Sequence, residues 1–345
     1  MVTRLHVREL LPGDHHGVSA VLAAAHRRTQ AAAPVLLGPT FCDAESCRGF
    51  VESAMASHRA DGAVAEIDGR MCGFLIGERL LFAPEDFAAI YAEPRSISVP
   101  LHCHGVDEGV DAAEVYEALY AFLSRRWIEE GFFVHNVSIS WLDRPVIDAW
   151  VQLGFGRKSV CALRSTAPLE PPPGRLEGLF IDEVRGHDDD VLEMFHQRLM
   201  TFQTGSPMFW PYNGEPDAKV RAIRVDALSS GQGVAFVARR GGQPIGSMLF
   251  VPAVFLSPLL VCERMMYLWE GYMESDSRSG GVGTVLLDHA LSLLRKRGIQ
   301  WCSLHFVSGN PRGGPFWQSR GFVPVEATMR RQVDERVAWA RGLER

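Results

Sequence analysis

The chain contains two copies of one sequence pattern, and this repeat constrains its fold more than any other feature. When the sequence is shifted by 167 positions, residues of matching type coincide near the end of each half. The 345 residues are also long enough for two domains of roughly 150 residues. The repeat therefore predicts two tandem domains of one fold. The coinciding pairs are Gly131 and Gly298, Asp143 and Asn310, Trp150 and Trp317, Gly154 and Gly321, and Phe155 and Phe322.

The seam between the two copies is a proline-rich run. Residues 167–174 read Ala-Pro-Leu-Glu-Pro-Pro-Pro-Gly. Proline-rich segments form stiff, extended spacers that lack a packed core. We therefore predict a first domain over residues 1–166, a linker over 167–175 and a second domain over 176–345.

The second copy contains a glycine-rich turn that leads directly into an amphipathic helix. Residues 278–283 read Arg-Ser-Gly-Gly-Val-Gly, and apolar residues at helical spacing follow them. Gly281 and Gly283 have no Cβ, so their backbone can approach a ligand closely or adopt a positive φ. The unpaired N–H groups of the first helical turn, at the positive end of the helix dipole, then form a socket for a phosphate or pyrophosphate.

The order of the glycines distinguishes between phosphate ligands. The dinucleotide fingerprint G-x-G-x-x-G follows the first strand of a βαβ unit, whereas this chain has R-x-x-G-x-G late in its sequence. The nucleoside-triphosphate loop needs a Lys-Ser or Lys-Thr pair after its last glycine, and neither follows here. The pattern instead resembles the acyl-coenzyme A loop of the GCN5-related N-acetyltransferases (GNAT).

The segments around this loop carry the same resemblance. After the helix come Asn310 and the run Phe-Trp-Gln-Ser-Arg-Gly-Phe at residues 316–322, which is similar to the N…FYxxxGF ending of the family. Residues 176–334 thus resemble a whole GNAT domain. Its predicted strands cover 179–184, 233–238, 245–250, 265–273 and 301–307, and its predicted helices cover 188–202, 217–228 and the segment after residue 283.

The resemblance implies the fold class of both halves. Each would be an α/β (α+β) domain with a mixed, mostly antiparallel sheet, flanking helices and a splayed central strand pair. In the family, acetyl-coenzyme A (acetyl-CoA) lies in the gap between the splayed strands, and an amine attacks its thioester carbonyl directly.

The first half lacks the glycine-rich turn. The same shift pairs Asp111 with Arg278, Glu114 with Gly281 and Tyr116 with Gly283. The two carboxylates would repel a pyrophosphate, and the tyrosine would block close approach of the backbone. We therefore interpret the N-terminal half as a degenerate copy that has lost acyl-CoA binding.

The resemblance also implies which residues surround the cofactor. The turn and the start of its helix would hold the pyrophosphate, while the backbone of Tyr272 and Met273 would hold the pantetheine arm and polarise the carbonyl. Asn310 and Phe316 would line the far wall. The full set assigned to the cofactor is Met273, Arg278, Ser279, Gly280, Gly281, Val282, Gly283, Thr284, Asn310, Phe316 and Trp317.

Glu270 is the candidate base, because a carboxylate on the central strand could take a proton from the attacking ammonium. The phase of a strand is not determined by sequence alone, so Glu270 could instead fix a cationic substrate or face away. Glu263 and His305 are the alternatives. Glu263 stands at the start of the strand, and His305 titrates near pH 7.

Trp317 departs from the family pattern, which commonly has a tyrosine there as the general acid. An indole N–H only donates a hydrogen bond and does not release its proton at ordinary pH. The leaving thiolate would then take its proton from Tyr272 or Ser308, or from water or the substrate ammonium. We include Tyr272 with Glu270 as a catalytic residue.

Residues 202–214, which border the acceptor site in the family, are aromatic and nearly uncharged. They would suit an acceptor with an apolar portion, or they would pack against the N-terminal half. Both interpretations stay open at this stage.

Composition excludes several classes of function. A net charge of -6 and a pI of about 6.1 argue against a nucleic-acid partner. No apolar run of about 18 residues is present, so we expect no membrane span.

Residues 1–7 read as a strand and lack the apolar core of a signal peptide, and seven scattered cysteines fit reduced thiols. We therefore expect a cytoplasmic protein. Residues 102–104 (His-Cys-His) lack a second ligand pair, so we predict no metal.

Together these features predict an N-acetyltransferase. Its C-terminal half would move an acetyl group from acetyl-CoA to a primary amine of a small molecule or of a peptide N-terminus. The alternative is a regulatory or ligand-binding protein that binds acyl-CoA with little catalysis. A tandem enzyme that acetylates a cysteinyl amine is a third possibility, without a substrate motif to support it. A homodimer is compatible with the sequence.

Overall fold

The computed structural model describes residues 5–37, 39–170, 174, 176–184, 189–212, 214–253, 256–260 and 262–338. The N-terminal half contains β1 (Leu5–Glu9), α1 (His15–Ala32), α2 (Ala44–Ala56), β2 (Ala60–Ile67), β3 (Arg70–Leu81), β4 (Arg95–Val99), β5 (His104–Val106), α3 (Ala112–Glu129), β6 (Val134–Ser140), α4 (Arg144–Gln152) and β7 (Gly156–Ser165). The C-terminal half contains β8 (Leu179–Val184), α5 (Asp189–Thr204), α6 (Asp217–Ser229), β9 (Val234–Arg240), β10 (Gln243–Pro252), β11 (Met265–Met273), α7 (Val282–Lys296), β12 (Trp301–Val307), α8 (Gly313–Ser319) and β13 (Val323–Gln332).

The predicted fold class is confirmed, since helices flank a mixed, mostly antiparallel sheet. The strands form one sheet in the order β1-β2-β3-β4-β6-β13-β7-β12-β11-β10-β9-β8, and β5 lies beside β3. Two neighbouring pairs in this order are parallel, β4 with β6 and β11 with β12. Strands β11 and β12 have the bounds that the sequence predicted.

The repeat that the sequence indicated is present in the strands. Strand β12 begins 167 positions after β6, and β13 begins 167 positions after β7, so each pair of copies has equal length and offset. The parallel pairs β4/β6 and β11/β12 occupy equivalent places in the two halves. The two halves are therefore copies of one arrangement at the level of backbone as well as sequence.

The two halves exchange their last strands. Strand β13 of the C-terminal half lies between β6 and β7 of the N-terminal half, and β7 in turn pairs with β12. The apolar cores follow this exchange. Val160 and Ala162 of β7 pack in the core of the C-terminal half, while Ala327 and Met329 of β13 pack in the core of the N-terminal half.

Four of the nine residues of the predicted linker at 167–175, namely 171–173 and 175, are outside the described residues. Residues 1–4, the start of the predicted first strand, and Asp188, the predicted start of α5, are outside it as well. The domain limits at 166 and 176 stay a prediction.

Helix α7 is held against the sheet by one apolar face. Its buried residues recur every three or four positions, as expected for an amphipathic helix, and they pack on β9 and β10. Helices α5 and α6 cover the opposite face of the same strands. This arrangement fixes the start of α7 beside the end of β11. The buried residues of α7 are Val282, Leu286, Leu287, Ala290, Leu291 and Leu294.

Within the described ranges, none of the helices combines the length and the apolar character that crossing a membrane would require.

The strand exchange predicts that neither half folds alone as a monomer. A fragment of residues 1–170 would lack the strand that separates β6 from β7, and a fragment of residues 176–345 would lack the partner of β12. We expect the separate fragments to aggregate or to associate with themselves. Coexpressed fragments should form a 1:1 complex, measured by size-exclusion chromatography with light scattering. A folded monomer of either fragment would contradict this expectation.

Buried histidines make stability depend on pH. His135 is buried in the N-terminal half, with its two ring nitrogens 2.8 Å from the Tyr120 hydroxyl and 3.0 Å from the Phe132 carbonyl oxygen. Burial lowers its pKa from 6.5 to about 4. Between these two values the unfolded chain binds a proton that the folded chain does not, so stability falls as the pH drops through this window.

We therefore expect His135→Gln to flatten the pH dependence of unfolding. Because glutamine takes up no proton, the slope between pH 6.5 and pH 4 should decrease by roughly 1.4 kcal/mol per pH unit. Urea unfolding at several pH values measures this slope. If the variant and the wild type had equal slopes, the proposed role of His135 would be wrong.

Candidate functional site

A β-bulge in β11 determines which side chains face the helices α5 and α6. Leu249 pairs with Glu270 and Phe250 pairs with Leu268, so Trp269 is the extra residue of the bulge. Trp269 and Glu270 therefore both lie on the α5 side, although simple alternation would separate them. The bulge answers the question of strand phase that the sequence left open, since Glu270 faces inward and not away.

The parallel pair β11/β12 separates along its length and leaves a gap. The strands are paired from Met265 and Trp301 to Leu268 and Leu304, and their remaining residues diverge. A cavity of about 510 Å³ opens between them. It is lined by the diverging strand ends, by the glycine-rich turn and by α8. The splayed pair and the turn thus meet as the sequence predicted.

The turn has the backbone conformation that its glycines suggested. Ser279 and Gly281 have positive φ angles of 63° and 79°, and Gly281 is the N-cap of α7. No side chain of the described residues caps this helix, so its first N–H groups remain available beside the cavity. A Cβ on Gly283 would lie 3.4 Å from Phe316 and 3.5 Å from Met273, which are ordinary contact distances, so the backbone of Gly283 lies directly beside these two cavity-lining side chains.

Arg278 ties the turn to the end of β11. Its Nε donates a hydrogen bond of 2.9 Å to the Met273 carbonyl oxygen. Its guanidinium carbon lies 4.7 Å from the ring centre of Phe202 and 5.4 Å from that of Tyr272. These cation–π contacts stack the arginine on two aromatic rings. Arg278 therefore places a fixed positive charge beside the turn.

The equivalent place in the N-terminal half is closed. The Asp111 side chain accepts a hydrogen bond of 2.9 Å from the Ala113 N–H and so caps α3 itself. Tyr116 is buried and its hydroxyl lies 2.7 Å from His104 Nδ1. The cavity that remains there measures about 40 Å³, against about 510 Å³ in the C-terminal half. A capped helix and a filled gap leave no space for a phosphate-bearing ligand.

Glu270 forms a buried pair with a histidine that the sequence analysis missed. His196 Nδ1 on α5 lies 2.6 Å from Glu270 Oε1, and His196 Nε2 lies 3.6 Å from Asp217 Oδ1 on α6. Tyr212 donates a 2.5 Å hydrogen bond to the other Asp217 oxygen. Burial by itself lowers the pKa of His196, but the hydrogen bond and charge of Glu270, with Asp217, outweigh it and raise that pKa above 6.5. The pair therefore favours an imidazolium beside a carboxylate.

No local pattern in the sequence pointed to His196. The residue lies on the buried face of an amphipathic helix, where a histidine is usually only a packing residue, and Glu270 is 74 positions away. The one usable sign was a charged residue within an apolar central strand, because a buried carboxylate needs a partner.

The two other candidate bases have different surroundings. Glu263 is exposed in the turn before β11, at the end of the strand that is remote from the splay, so the structure does not bring it to the cavity. His305 lines the cavity and its Nδ1 lies 3.1 Å from the Tyr267 hydroxyl. Burial lowers the pKa of His305 to about 4, so it is neutral at pH 7.

The far wall of the cavity is aromatic. The Trp317 ring packs edge-on against Phe316 and Phe322, with ring centres 4.8 and 5.7 Å apart. A Cβ on Gly271 would lie 3.3 Å from the Trp317 ring, so the indole rests against the diverging end of β11. Asn310 lines the same cavity, but its Oδ1 accepts the backbone N–H groups of residues 312 and 313 and shapes the start of α8.

A second cavity, of about 430 Å³, lies between the two halves. It shares Gln203, Trp269 and His305 with the first cavity, and the Glu270–His196 pair lines it. Trp210 lines it too, and donates a hydrogen bond of 2.9 Å to the Ile90 carbonyl oxygen of the N-terminal half. The aromatic stretch 202–214 thus both borders a cavity and packs against the N-terminal half, although its Asn213 is outside the described residues.

The described residues contain no group of three or more histidine, cysteine, aspartate or glutamate side chains that could hold a metal ion.

Comparison with known proteins agrees with this geometry. The family model described as the acetyltransferase (GNAT) family matches residues 195–322. The whole chain is similar in fold to the GCN5-related N-acetyltransferase from Sphaerobacter thermophilus, with a TM-score of 0.54, 12% identity and coverage of 95% of both chains. It is also similar to a tandem GNAT protein from the clavulanic acid biosynthesis pathway, with a TM-score of 0.50, 13% identity and coverage of 95% of this chain and 98% of that one. No curated protein matches the sequence.

The geometry of the turn predicts one coenzyme A site per chain. Gly281→Glu and Gly283→Tyr should abolish binding, because each puts charge or bulk beside the first turn of α7, and Gly281 also needs a positive φ. Isothermal titration calorimetry measures the affinity and the number of sites.

Gly49→Ala is the matched control, since Gly49 lies on α2 of the N-terminal half, a Cβ there meets no atom within 4 Å and the residue has no positive φ. It should bind coenzyme A as the wild type does. Two equivalent sites in the wild type, or unchanged affinity in both Gly281→Glu and Gly283→Tyr, would show that the turn is not the phosphate socket.

Proposed function

We propose, from the match of residues 195–322 to the acetyltransferase (GNAT) family model, that the chain is an acetyl-CoA-dependent N-acetyltransferase. Its acceptor is a primary amine of a small molecule or of a peptide N-terminus. The observation that carries this proposal is the position of the Glu270–His196 pair. The pair lines the smaller cavity, and this cavity adjoins the larger one, which is lined by the glycine-rich turn.

The residues around the larger cavity fit acetyl-CoA. The first N–H groups of α7, with the stacked Arg278, match the negative charge of a pyrophosphate. Because Gly283 has no Cβ, the space beside Phe316 and Met273 at the start of α7 stays open to such a group. The ends of β11 and β12, with Asn310 and Phe316, line the remaining length of the cavity and would hold the pantetheine arm. When bound, the cofactor supplies the activated acetyl thioester.

Glu270 is the proposed general base. Its carboxylate lines the smaller cavity and would take a proton from the acceptor ammonium, which frees the amine for attack. His196 is the proposed positioning residue, since its imidazolium holds the Glu270 carboxylate in one orientation from the side of α5. The nearby Asp217 favours the imidazolium and thereby supports this arrangement.

The acid that protonates the leaving thiolate is proposed to be Tyr272. Trp317 stands where the family commonly has a tyrosine, and an indole does not supply a proton. Tyr272, near the end of β11, lines the same cavity and lies against the guanidinium of Arg278. Ser308 is the alternative, because its buried hydroxyl has no hydrogen-bond partner among the described residues.

A second function has one observation in its favour. Trp317 in place of the usual acid suits a regulatory protein that binds acyl-CoA and reacts slowly. Thiol release from acetyl-CoA, followed with a panel of primary amines, separates the two functions. Amine-dependent turnover supports the enzyme, whereas binding without turnover supports the regulatory protein.

We also propose that the reaction takes place in the cytoplasm. All seven cysteines are free thiols, which suits a reducing compartment.

The role of Glu270 can be tested with an isosteric variant. Glu270→Gln should lower kcat by roughly 10²–10⁴, the usual effect of removing an acid–base group, with little change in coenzyme A affinity. Glu263→Gln is the control, because that exposed carboxylate precedes the same strand but lies away from the cavity. Stopped or continuous thiol assays measure kcat. Wild-type turnover in Glu270→Gln would move the base role to another group.

The role of His196 predicts a pH dependence. The pKa of His196 is raised, so the imidazolium persists above pH 6.5 and is lost as the pH rises further. We expect kcat/KM of the wild type to decline as this proton is lost, because Glu270 then loses its charged partner. His196→Gln should lack that decline and should keep the wild-type affinity for coenzyme A. The same pH profile in both proteins would rule out this role for His196.

A further inference from the structure

The cavity between the two halves has a polar wall that the proposed chemistry does not use. This wall comes from the N-terminal half and from the exchanged strand β13, while Tyr91, Trp210 and Trp269 line the cavity as aromatic residues. Hydroxyl, amide and carboxyl groups therefore face the same space as aromatic rings. The polar residues are Ser98, Asn136, Ser138, Ser159, Glu326 and Thr328.

Two hydrogen-bond acceptors in this wall lack a full set of partners. Glu326 is only 6% exposed, its side chain is hydrogen-bonded to Ser138, and no cationic group of the described residues forms an ion pair with it. Asn136 donates through Nδ2 to Glu93 at 3.2 Å, but its buried Oδ1 has no partner among the described residues. Buried polar groups without partners are costly, so both sites favour a ligand that brings donors.

We propose that the acceptor is a polyhydroxylated amine, such as an amino sugar or an amino cyclitol, whose hydroxyl groups bind Glu326, Asn136 and Thr328 while its amine lies at Glu270. This inference rests on the proposed function, because it treats the cavity as the acceptor site of the acetyl transfer.

Hydroxyl groups fit this wall better than the alternatives. An apolar amine would leave the buried Asn136 Oδ1 without a donor and would add none to Glu326, whose side chain is hydrogen-bonded to Ser138. A second ammonium group would meet the ammonium of Lys158, which lines this cavity, lies 5.1 Å from the Trp210 ring centre and is already paired with Glu93 at 3.3 Å. Burial raises the pKa of Glu326 to about 7, so near neutral pH its carboxyl group both donates and accepts hydrogen bonds, as a hydroxyl partner requires.

The register of the sheet indicates how far the acceptor extends. Glu326 pairs with Cys161, which pairs with His305, and the next strand is β11 with Glu270. Three strand spacings separate β13 from β11, which is roughly 14 Å between backbones. An acceptor that contacts both ends must therefore extend well beyond its amine, as one or two sugar rings do.

The test compares hydroxylated and apolar amines of the same ring size. The probes are glucosamine, its β-1,4-linked dimer and cyclohexylamine, titrated into the full chain with coenzyme A present and followed by calorimetry. The same amines are then used in the thiol assay. We expect at least one hydroxylated amine to bind tenfold or more tightly than cyclohexylamine, since a site built to bind hydroxyl groups rejects analogues without them.

Two variants locate the binding site. Glu326→Leu and the isosteric Thr328→Val should each weaken the hydroxylated amine by about tenfold, while cyclohexylamine and coenzyme A change less than threefold. Thr29→Val is the matched control, since Thr29 is a buried threonine that lines the small cavity of the N-terminal half. If Glu326→Leu fails to fold, Thr328→Val alone decides.

The outcomes separate this inference from the proposed function. It is overturned if neither hydroxylated amine binds more tightly than cyclohexylamine, or if Thr328→Val binds them as the wild type does. Turnover of cyclohexylamine without preference for hydroxyl groups would leave the acetyltransferase in place and reject the inference. Hydroxyl-dependent binding that Thr328→Val weakens, without thiol release from any amine, would support the site and reject the acetyltransferase.

Discussion

The pairing of β7 with β13 is the interaction on which the rest of the structure depends. These two strands lie side by side at the middle of the sheet. Strand β7 belongs by sequence to the N-terminal half but also pairs with β12 of the C-terminal half, and β13 belongs to the C-terminal half but also pairs with β6 of the N-terminal half. The exchange joins the two halves into one sheet, so their relative position is set by backbone hydrogen bonds along a whole strand. A flexible linker could not fix two halves in this way. The cavity between the halves is therefore built by one continuous sheet, and residues on β6, β7 and β13 line it together with Glu270 of β11.

The same fold leaves an open gap in the C-terminal half and a nearly closed gap in the N-terminal half, because a few side chains differ. In the N-terminal half, Asp111 accepts the Ala113 N–H at the start of α3 and the Tyr116–His104 pair fills most of the gap, which leaves a cavity of only about 40 Å³. In the C-terminal half, Gly281 and Gly283 leave the start of α7 uncapped and the gap open. An uncapped helix and an open cavity both forgo stabilising contacts. The filled N-terminal half therefore makes contacts that the open half forgoes.

The sequence predicted the elements well, because they depend on local patterns. The repeat, the glycine-rich turn and the bounds of β11 and β12 follow from spacing, and all of these are present. The strand exchange was not predictable, because no local pattern in β7 or β13 specifies which strands they pair with. The bulge at Trp269 has no marker such as glycine or proline, and it alone decides that Glu270 faces α5. The contact between Glu270 and His196 depends on that bulge and on the packing of α5, so the sequence could not predict it either.

The buried Glu270–His196 pair is hard to explain by stability alone. Desolvation of two charges commonly cancels most of their attraction, so a well-packed apolar pair of similar size would hold α5 to β11 at least as firmly. His196 and Asp217 are also left 3.6 Å apart, and both atoms lack a hydrogen-bond partner among the described residues. A network that served only to rigidify the core would be fully satisfied. The pair lines a cavity that adjoins the larger one, where a carboxylate held by a cation on one side keeps its other oxygen free for a proton. Incomplete satisfaction beside a cavity is the physical ground for the chemical role that we propose for this pair.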